Sequence, residues 1–269
     1  MTFKFYLITI ILVPMILLTG CAYVSPQTGI YYSYSEMSSS SKDPSRIFAA
    51  PQHIPPQRPD PSYKEPEPDT RPIIALTFDD GPNPKYTDMI LDSLAENSVH
   101  ATFFVMGKKI ESGLPQIKRI LEEGHQLGNH TWDHLDLTLL KADQVKQQIM
   151  SVYDCIENLY SQGPVLVRPP FGFFNKTTKS CSDFPLITWS VDTLDWEVKN
   201  KDKVVRLILD NAKDGDIILM HDDYLPSAQA VEEVVPILIE RGFRLATVSE
   251  MFEAKGITLE AGKSYFRAK

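Results

Sequence analysis

Cysteine is scarce in this chain, whose 269 residues include only three: Cys21, Cys155 and Cys181. So few thiols exclude a small domain that is held together by disulfide bonds. The spacing between Cys155 and Cys181 also lacks the short repeat that is typical of a cysteine metal site. We expect two separate thiols, because Cys155 falls within a helical apolar repeat. A single bridge between the two is the alternative.

Long runs of basic residues are also missing, and the formal net charge of the chain is -8. A protein that binds a polyanion such as nucleic acid needs a basic surface to neutralise the phosphates. We therefore do not expect nucleic acid as a partner. A neutral or mixed-charge substrate fits this composition better.

The chain has no apolar run of the roughly twenty residues that a membrane-spanning helix needs. A shorter apolar run, residues 5–18, follows a cationic start and leads directly into Leu18-Thr19-Gly20-Cys21. This order resembles the lipobox of bacterial lipoproteins. The resemblance implies a signal peptide over residues 1–20 and a diacylglycerol on the sulfur of Cys21, so that the exported protein is lipid-anchored at the bacterial cell membrane and faces the cell wall. An uncleaved membrane anchor with a coincidental cysteine is the alternative.

Aliphatic residues become rare between residues 21 and 70, where a serine run at 38–41 is followed by seven prolines within residues 51–68. Such a segment buries too little apolar surface to offset the entropy that ordering would cost. We expect a Ser/Pro-rich tether over residues 21–70, with an extended length above roughly 100 Å. Residues 71–269 then remain as one folded domain.

From residue 71 onward, short apolar runs alternate with amphipathic stretches. The runs that predict strands are 73–78, 101–105, 126–128, 165–168, 186–191, 216–220 and 244–246. Between them, Val145, Ile149, Val152, Ile156 and Leu159 recur at helical spacing and predict one buried helix face. Gly242 is the expected C-terminal cap of a later helix. Seven strands alternating with helices predict an α/β fold with a parallel sheet, and periodicity does not separate an open sheet from a closed or incomplete barrel.

Polar clusters follow directly after these apolar runs, where the carboxyl ends of parallel strands would meet. Asp79 and Asp80 stand where the first strand stops, and an ordinary solvated turn is the alternative for that pair alone. His130 and His134 are four residues apart, a spacing that brings both imidazoles to one face if the segment forms a helical turn. Two histidines and one carboxylate are a common facial set for a divalent metal with open positions.

Three further clusters carry chemistry. Arg168 precedes two prolines, which lack N–H groups, so the rigid turn would aim the N–H of Phe171 in a set direction, as an oxyanion donor requires. Asp195 and His221 follow later strands. A carboxylate that holds an imidazole raises its pKa and fixes its tautomer, which suits a general acid.

Taken together and in this order, the five clusters resemble the polysaccharide deacetylases of carbohydrate esterase family 4, also called the NodB homology domain. The similarity runs from about residue 73 to 251, and it implies that the domain of residues 71–269 is catalytic. It implies a distorted, incomplete (β/α) barrel with about seven parallel strands. Within the family, the form Asp-Asp-Gly-Pro-Asn is most similar to bacterial peptidoglycan N-acetylglucosamine deacetylases.

The resemblance also implies a role for each candidate residue. The implied metal ligands are Asp80, His130 and His134. Asp79 would be the general base, which Arg168 orients. His221 would be the general acid, which Asp195 tunes. Trp196 and Leu219 would line a slot for the acetyl methyl group, and Phe171 stands where the family often has tyrosine. The catalytic set is thus Asp79, His221, Arg168 and Asp195, and the substrate-binding set is Phe171, Trp196 and Leu219.

The expected activity is metal-dependent hydrolysis of N-acetyl groups on N-acetylglucosamine units of a cell-wall polysaccharide, with release of acetate. The expected cofactor is one divalent ion, with Zn²⁺ first and Co²⁺, Mn²⁺ or Ni²⁺ as alternatives. Peptidoglycan is the favoured substrate, while chitin, poly-N-acetylglucosamine and acetyl xylan are its competitors. An inactive wall-binding lipoprotein is the non-enzymatic alternative.

Overall fold

The computed structural model describes residues 69–269 apart from residues 162 and 164. The strands are β1 (Ile73–Asp79), β2 (Thr102–Val105), β3 (Gln126–Asn129), β4 (Leu186–Ile187), β5 (Val191–Asp192), β6 (Ile217–His221), β7 (Arg244–Leu245) and β8 (Ser264–Tyr265). The helices are α1 (Tyr86–Glu96), α2 (Leu114–Glu122), α3 (Ala142–Tyr160), α4 (Lys176–Cys181), α5 (Asp195–Val198), α6 (Lys201–Asn211), α7 (Leu225–Glu240) and α8 (Val248–Ala254). The predicted signal peptide, the lipidated Cys21 and the tether up to residue 68 lie outside the described residues.

The main sheet is parallel and has the strand order β3-β2-β1-β6-β5, with β7 pairing to the first residues of β1. Every residue of β1 is buried, as expected for a central strand that is covered on both faces. Its register places Asp79 opposite Phe104 on one side and opposite His221 on the other. The carboxyl ends of β1, β2, β3 and β6 therefore meet along one edge.

The expected barrel is not confirmed, because the ladders between regular strands in residues 69–269 do not close into a ring. The predicted strand 165–168 contributes only isolated bridges, from Val167 to Asn129 and to Leu186. Pro169 and Pro170 follow it and have no N–H to extend a ladder. The predicted strand 186–191 is divided into β4 and β5, and β4 pairs with β8, which the sequence did not suggest. The fold is a mostly parallel α/β sheet.

Side chains alternate along β1 between two hydrophobic clusters. Ile74, Leu76 and Phe78 join the larger one, while Ile73 and Ala75 join a smaller one on the other face. Thr77 and Asp79 continue that second face by the same alternation. The polar carboxyl end of β1 thus directly follows the part of the strand that packs in the core.

The helix predictions mostly hold. In α3 the buried residues are Val145, Ile149, Val152 and Ile156, whereas Leu159 is exposed near the end of the helix, where the buried face has run out. Gly242 has a φ of 87° just after α7, which is the left-handed cap that its position predicts.

The two cysteines of the described region, Cys155 and Cys181, are both free thiols, so the prediction of separate thiols is confirmed. Among residues 69–269, no helix is both long enough and apolar enough to cross a membrane.

Candidate active site

Three predicted metal ligands converge at the edge where β1 and β3 end. One ligand atom each from Asp80, His130 and His134 lies within 4.8 Å of the other two. The Nε2 atoms of His130 and His134 are 3.5 and 3.4 Å from Oδ1 of Asp80. Within the described residues this is the group of three side chains with the geometry to hold a metal ion.

The two histidines do not lie on a helical turn, so that part of the prediction is wrong. Thr131 and His134 have φ values of 65° and 61°, in the left-handed region, and these two residues bend the segment back on itself. Asn129 fixes the bend, because its Oδ1 accepts from the N–H of Thr131 at 2.9 Å and its Nδ2 donates to the carbonyl of Ile149 at 2.8 Å. Hydrogen bonds to side chains thus supply the geometry that a helix was expected to supply.

The donor set fits a divalent cation. Oδ1 of Asp80 is buried and has no hydrogen-bond partner among the described residues, which is costly unless a cation binds there. Nδ1 of His130 donates to the carbonyl of Arg168 at 2.7 Å. The proton is therefore on Nδ1, and the lone pair of Nε2, the nitrogen on the side of Asp80, is available to bind a cation. Burial lowers the pKa of His130 to about 3, so its imidazole is neutral and free to coordinate.

Asp79 lies beside this group and is held by a buried arginine. Nη1 of Arg168 donates to Oδ1 of Asp79 at 2.7 Å and to Oγ1 of Thr77 at 2.8 Å. The other nitrogens of the guanidinium donate to the carbonyls of Ile187 and Thr188. Burial raises the pKa of Asp79, and the charge of Arg168 partly counters this rise. Asp79 is therefore a fixed carboxylate with enhanced basicity.

His221, at the end of β6, is paired with a fully buried carboxylate. Nδ1 of His221 lies 2.7 Å from Oδ1 of Asp195, and Oδ2 of Asp195 accepts from the backbone N–H of His221 at 2.8 Å. The N–H of Trp196 and the hydroxyl of Ser227 also donate to this carboxylate, at 2.9 and 2.6 Å. Burial lowers the pKa of His221, but the hydrogen bond and charge of Asp195, with the charges of Asp79 and Asp80, outweigh it and raise this pKa to about 9. His221 is consequently protonated at neutral pH.

A pocket of about 430 Å³ opens over these groups. Eight of the ten predicted site residues line it, namely Asp79, Asp80, His130, His134, Phe171, Trp196, Leu219 and His221. The other two, Arg168 and Asp195, lie beneath and contact Asp79 and His221. Leu219 is buried and Trp196 is half exposed, so the pair can enclose a small apolar group.

Phe171 stands at the rim with a left-handed φ of 59°, and its ring meets that of His134 edge-on at 4.7 Å. The backbone of Phe171 thus takes a conformation that non-glycine residues rarely adopt. Such strain is common at functional sites, where the surrounding structure holds it.

Several contributors to the site were missed by sequence reasoning. Trp189, Asp192 and Tyr224 line the pocket, while Thr77 and Ser227 support it from below. Only two of them carried any signal: Asp192 is the first residue of the polar cluster that contains Asp195, although no role was expected for it, and Tyr224 stands close to His221. Thr77 reads as an ordinary strand residue, and Ser227 lies 32 residues from its partner Asp195.

Comparison with known proteins relates the chain to a family. Residues 67–184 match the family model described as polysaccharide deacetylase. The peptidoglycan-N-acetylmuramic acid deacetylase PdaC of Bacillus subtilis is 43% identical over 183 residues, which cover 68% of this chain and 39% of PdaC. The peptidoglycan-N-acetylglucosamine deacetylase PgdA of Listeria monocytogenes is 39% identical over 201 residues, covering 75% and 42%. The chain therefore spans about two fifths of the length of these two relatives.

Solved structures give the same result. The structure of PdaC matches with a TM-score of 0.68 and 41% identity over 70% of this chain and 93% of that one. A family 4 acetyl xylan esterase from Clostridium thermocellum, solved with a cobalt ion, matches with a TM-score of 0.69 and 29% identity over 72% of this chain and 98% of that one. The sheet and its surrounding helices are thus shared with these proteins.

Proposed function

This chain belongs to the polysaccharide deacetylase family, and we propose that it hydrolyses N-acetyl groups on N-acetylglucosamine units of a cell-wall polysaccharide. One observation carries this proposal: Asp80, His130 and His134 converge around an unpartnered carboxylate oxygen, and Asp79 and His221 line the same pocket. A facial triad with a base and an acid beside it is the arrangement that hydrolysis of an acetyl group requires.

We infer that Asp80, His130 and His134 hold one divalent ion, most simply Zn²⁺, with Co²⁺, Mn²⁺ or Ni²⁺ as alternatives. Two imidazoles and a carboxylate suit these borderline metals. The cobalt ion of the structurally similar acetyl xylan esterase supports a metal in this fold. When bound, such an ion would act as a Lewis acid, lowering the pKa of a water molecule towards about 7 and polarising the acetyl carbonyl.

Asp79 is the proposed general base. It accepts the proton of the attacking water as the bond between oxygen and the acetyl carbon forms. Arg168 keeps the carboxylate in place through the 2.7 Å contact to Oδ1, which leaves Oδ2 as the oxygen that can take a proton. Oδ2 faces the metal ligands, since it lies 3.6 Å from Nε2 of His130.

His221 is the proposed general acid. Its Nδ1 is engaged by Asp195, so the proton that it gives to the departing amine comes from Nε2. The bond between the acetyl carbon and nitrogen then breaks, and free amine and acetate are the products. Trp196 and Leu219 enclose the acetyl methyl group, and the N–H of Phe171 donates to the oxyanion.

Peptidoglycan is the substrate that we favour, because PdaC and PgdA are both named as peptidoglycan deacetylases. Those names differ in the sugar, N-acetylmuramic acid for PdaC and N-acetylglucosamine for PgdA. Activity on N-acetylglucosamine oligomers, which contain no muramic acid, supports N-acetylglucosamine, and activity on peptidoglycan without activity on these oligomers favours N-acetylmuramic acid. We also propose that residues 1–20 are a signal peptide, that Cys21 carries the lipid anchor, and that residues 21–70 form the tether that lets the exported domain reach the cell wall.

The test measures acetate released from peptidoglycan, N-acetylglucosamine oligomers and acetyl xylan by the purified chain from residue 69, before and after a chelator. Activity that is lost with the chelator and restored by Zn²⁺ supports the proposal. Asp79→Asn and His221→Ala should each lose at least about a hundredfold in kcat while they keep the fold by circular dichroism. Full activity in both variants, or in the chelated protein, contradicts the assigned roles. A wild-type chain that is inactive on every substrate favours a wall-binding protein instead.

A further inference from the structure

Phe173 is an aromatic side chain near the pocket that the fold itself does not use. It is 54% exposed, and its backbone is extended. Two nearby aromatics have different environments. Trp132 packs against the main hydrophobic cluster. Phe174 packs against a smaller cluster and lies under the ammonium group of Lys179 at 4.9 Å. Phe173 alone of these three is left open to a ligand.

Phe173 also continues a line of rings that starts at the metal ligands. The ring of His134 lies 4.7 Å from that of Phe171, and the ring of Phe171 lies 5.9 Å from that of Phe173. Phe171 is 55% exposed, so both phenyl rings offer a free face. We call Phe171 and Phe173 the aromatic strip. It leads outward from the pocket on the side of His134.

The aromatic strip lies in a wider apolar rim. The described residues include nine large hydrophobic side chains that are exposed, and six of them stand on segments that follow the carboxyl ends of β3, β5 or β6 or the bridge at Val167. These six are Leu135, Leu139, Phe171, Phe173, Trp196 and Leu225. The loop of Leu135 and Leu139 is tied to that of the strip by a 3.3 Å hydrogen bond from Asn175 to the carbonyl of Thr138. Exposed apolar groups that collect at one place mark a binding surface.

We propose that the aromatic strip binds the sugar ring next to the one whose acetyl group is cleaved, with the apolar C–H face of that ring stacked on Phe173. The inference rests on the proposed function, because it takes the pocket as the place of the acetyl group. The occupant is a sugar of the same polymer, since the strip is continuous with the pocket. The strip therefore makes the enzyme prefer an oligomer over a single acetylated unit.

Phe173→Ala tests this in the metal-loaded enzyme. Removal of the ring leaves roughly 40 to 60 Å² of apolar surface uncovered, so kcat/KM on the hexamer of N-acetylglucosamine should fall about fivefold to tenfold. The loss should appear in KM with kcat unchanged, because stacking acts equally on the bound substrate and the transition state. The variant should keep wild-type activity on 4-nitrophenyl acetate, which occupies the pocket and is too small to extend past Phe171 to Phe173.

Two controls accompany this variant. Phe266→Ala removes a phenylalanine that is similarly exposed, at 61%. Its neighbour Arg267 pairs with Asp216, just before β6 begins and at the opposite end of that strand from His221, so this change should leave both activities unchanged. Phe173→Trp keeps an aromatic face and should restore the hexamer activity. A Phe173→Ala variant with an unchanged KM on the hexamer, or with equal losses on both substrates, overturns the inference. If the wild-type enzyme releases acetate from neither substrate, it is the proposed function that fails.

Discussion

The change of Asp195 to Asn tests the link between a buried carboxylate and the proposed acid. Each oxygen of Asp195 accepts two hydrogen bonds. Oδ1 accepts from Nδ1 of His221 and from the N–H of Trp196, and Oδ2 accepts from the backbone N–H of His221 and from the hydroxyl of Ser227. Asparagine keeps the shape of the side chain but removes its charge. It also turns one acceptor into a donor, which then faces an N–H group.

The size of the effect follows from the pKa of His221. Asp195 is its nearest charged partner and contributes most of the rise from 6.5 to about 9, while burial opposes that rise. A difference of this size corresponds to about 3 kcal/mol in favour of the protonated imidazole. A cation at Asp80 would weaken the contributions of Asp79 and Asp80, which leaves Asp195 as the main support. Without it, burial should bring the pKa of His221 to 6.5 or below.

Because His221 must be protonated to act as an acid, its pKa sets the alkaline limb of the activity profile. We expect the profile of kcat/KM for acetate release between pH 5.5 and 9.5 to lose its plateau above pH 7 in Asp195→Asn, with the alkaline limb at least about one pH unit lower. Asp183→Asn removes a carboxylate that is 67% exposed and serves as the control. An alkaline limb that stays in place in Asp195→Asn would refute the coupling.

Three further changes have expected outcomes. Ser227→Ala removes one donor from Asp195, so the carboxylate becomes more basic and raises the pKa of His221 further. In the same assay, the alkaline limb of this variant should move upward by less than about one pH unit, whereas that of Asp195→Asn moves downward. Arg168→Lys cannot satisfy the four oxygens that the buried guanidinium contacts, so urea unfolding should show a loss of at least about 2 kcal/mol. Burial raises the pKa of Asp222 from 3.8 to about 7. Folding therefore favours its protonated form, so the melting temperature of the wild type minus that of Asp222→Asn should fall as the pH rises from 4 to 7.

The sequence predicts the position of the site because the strand ends carry its chemistry. Asp79 and Asp80 follow a run that is apolar except for Thr77, and parallel pairing then brings His221 to the register position of Asp79. The position of a site at a strand end can be predicted wherever the strand is buried on both faces, because the end of the apolar run marks the end of the strand. The family resemblance adds the roles, which the pattern of residues alone leaves open.

The local geometry could not be predicted in the same way. His130 and His134 come together through left-handed backbone at Thr131 and His134, residue types that carry no signal for it. A spacing of four residues brings two side chains to one face of a helix, but the spacing itself does not show that the backbone is helical. The predicted strand before Arg168 failed for a related reason, because neighbours that arrive from β3 and β4, distant in sequence, decide how far it pairs.

Arg168 shows why this short segment matters more than its two isolated bridges suggest. Its carbonyl accepts from Nδ1 of His130 and so orients a metal ligand, while its guanidinium holds Asp79 in place. One residue thus joins the proposed metal centre to the proposed base, through two different parts of its structure. A change of the side chain leaves the carbonyl where it is, because the N–H of Arg168 still donates to the carbonyl of Asn129 at 2.9 Å. The orientation of the base and the affinity for the metal are therefore separable properties, although a single residue supports both.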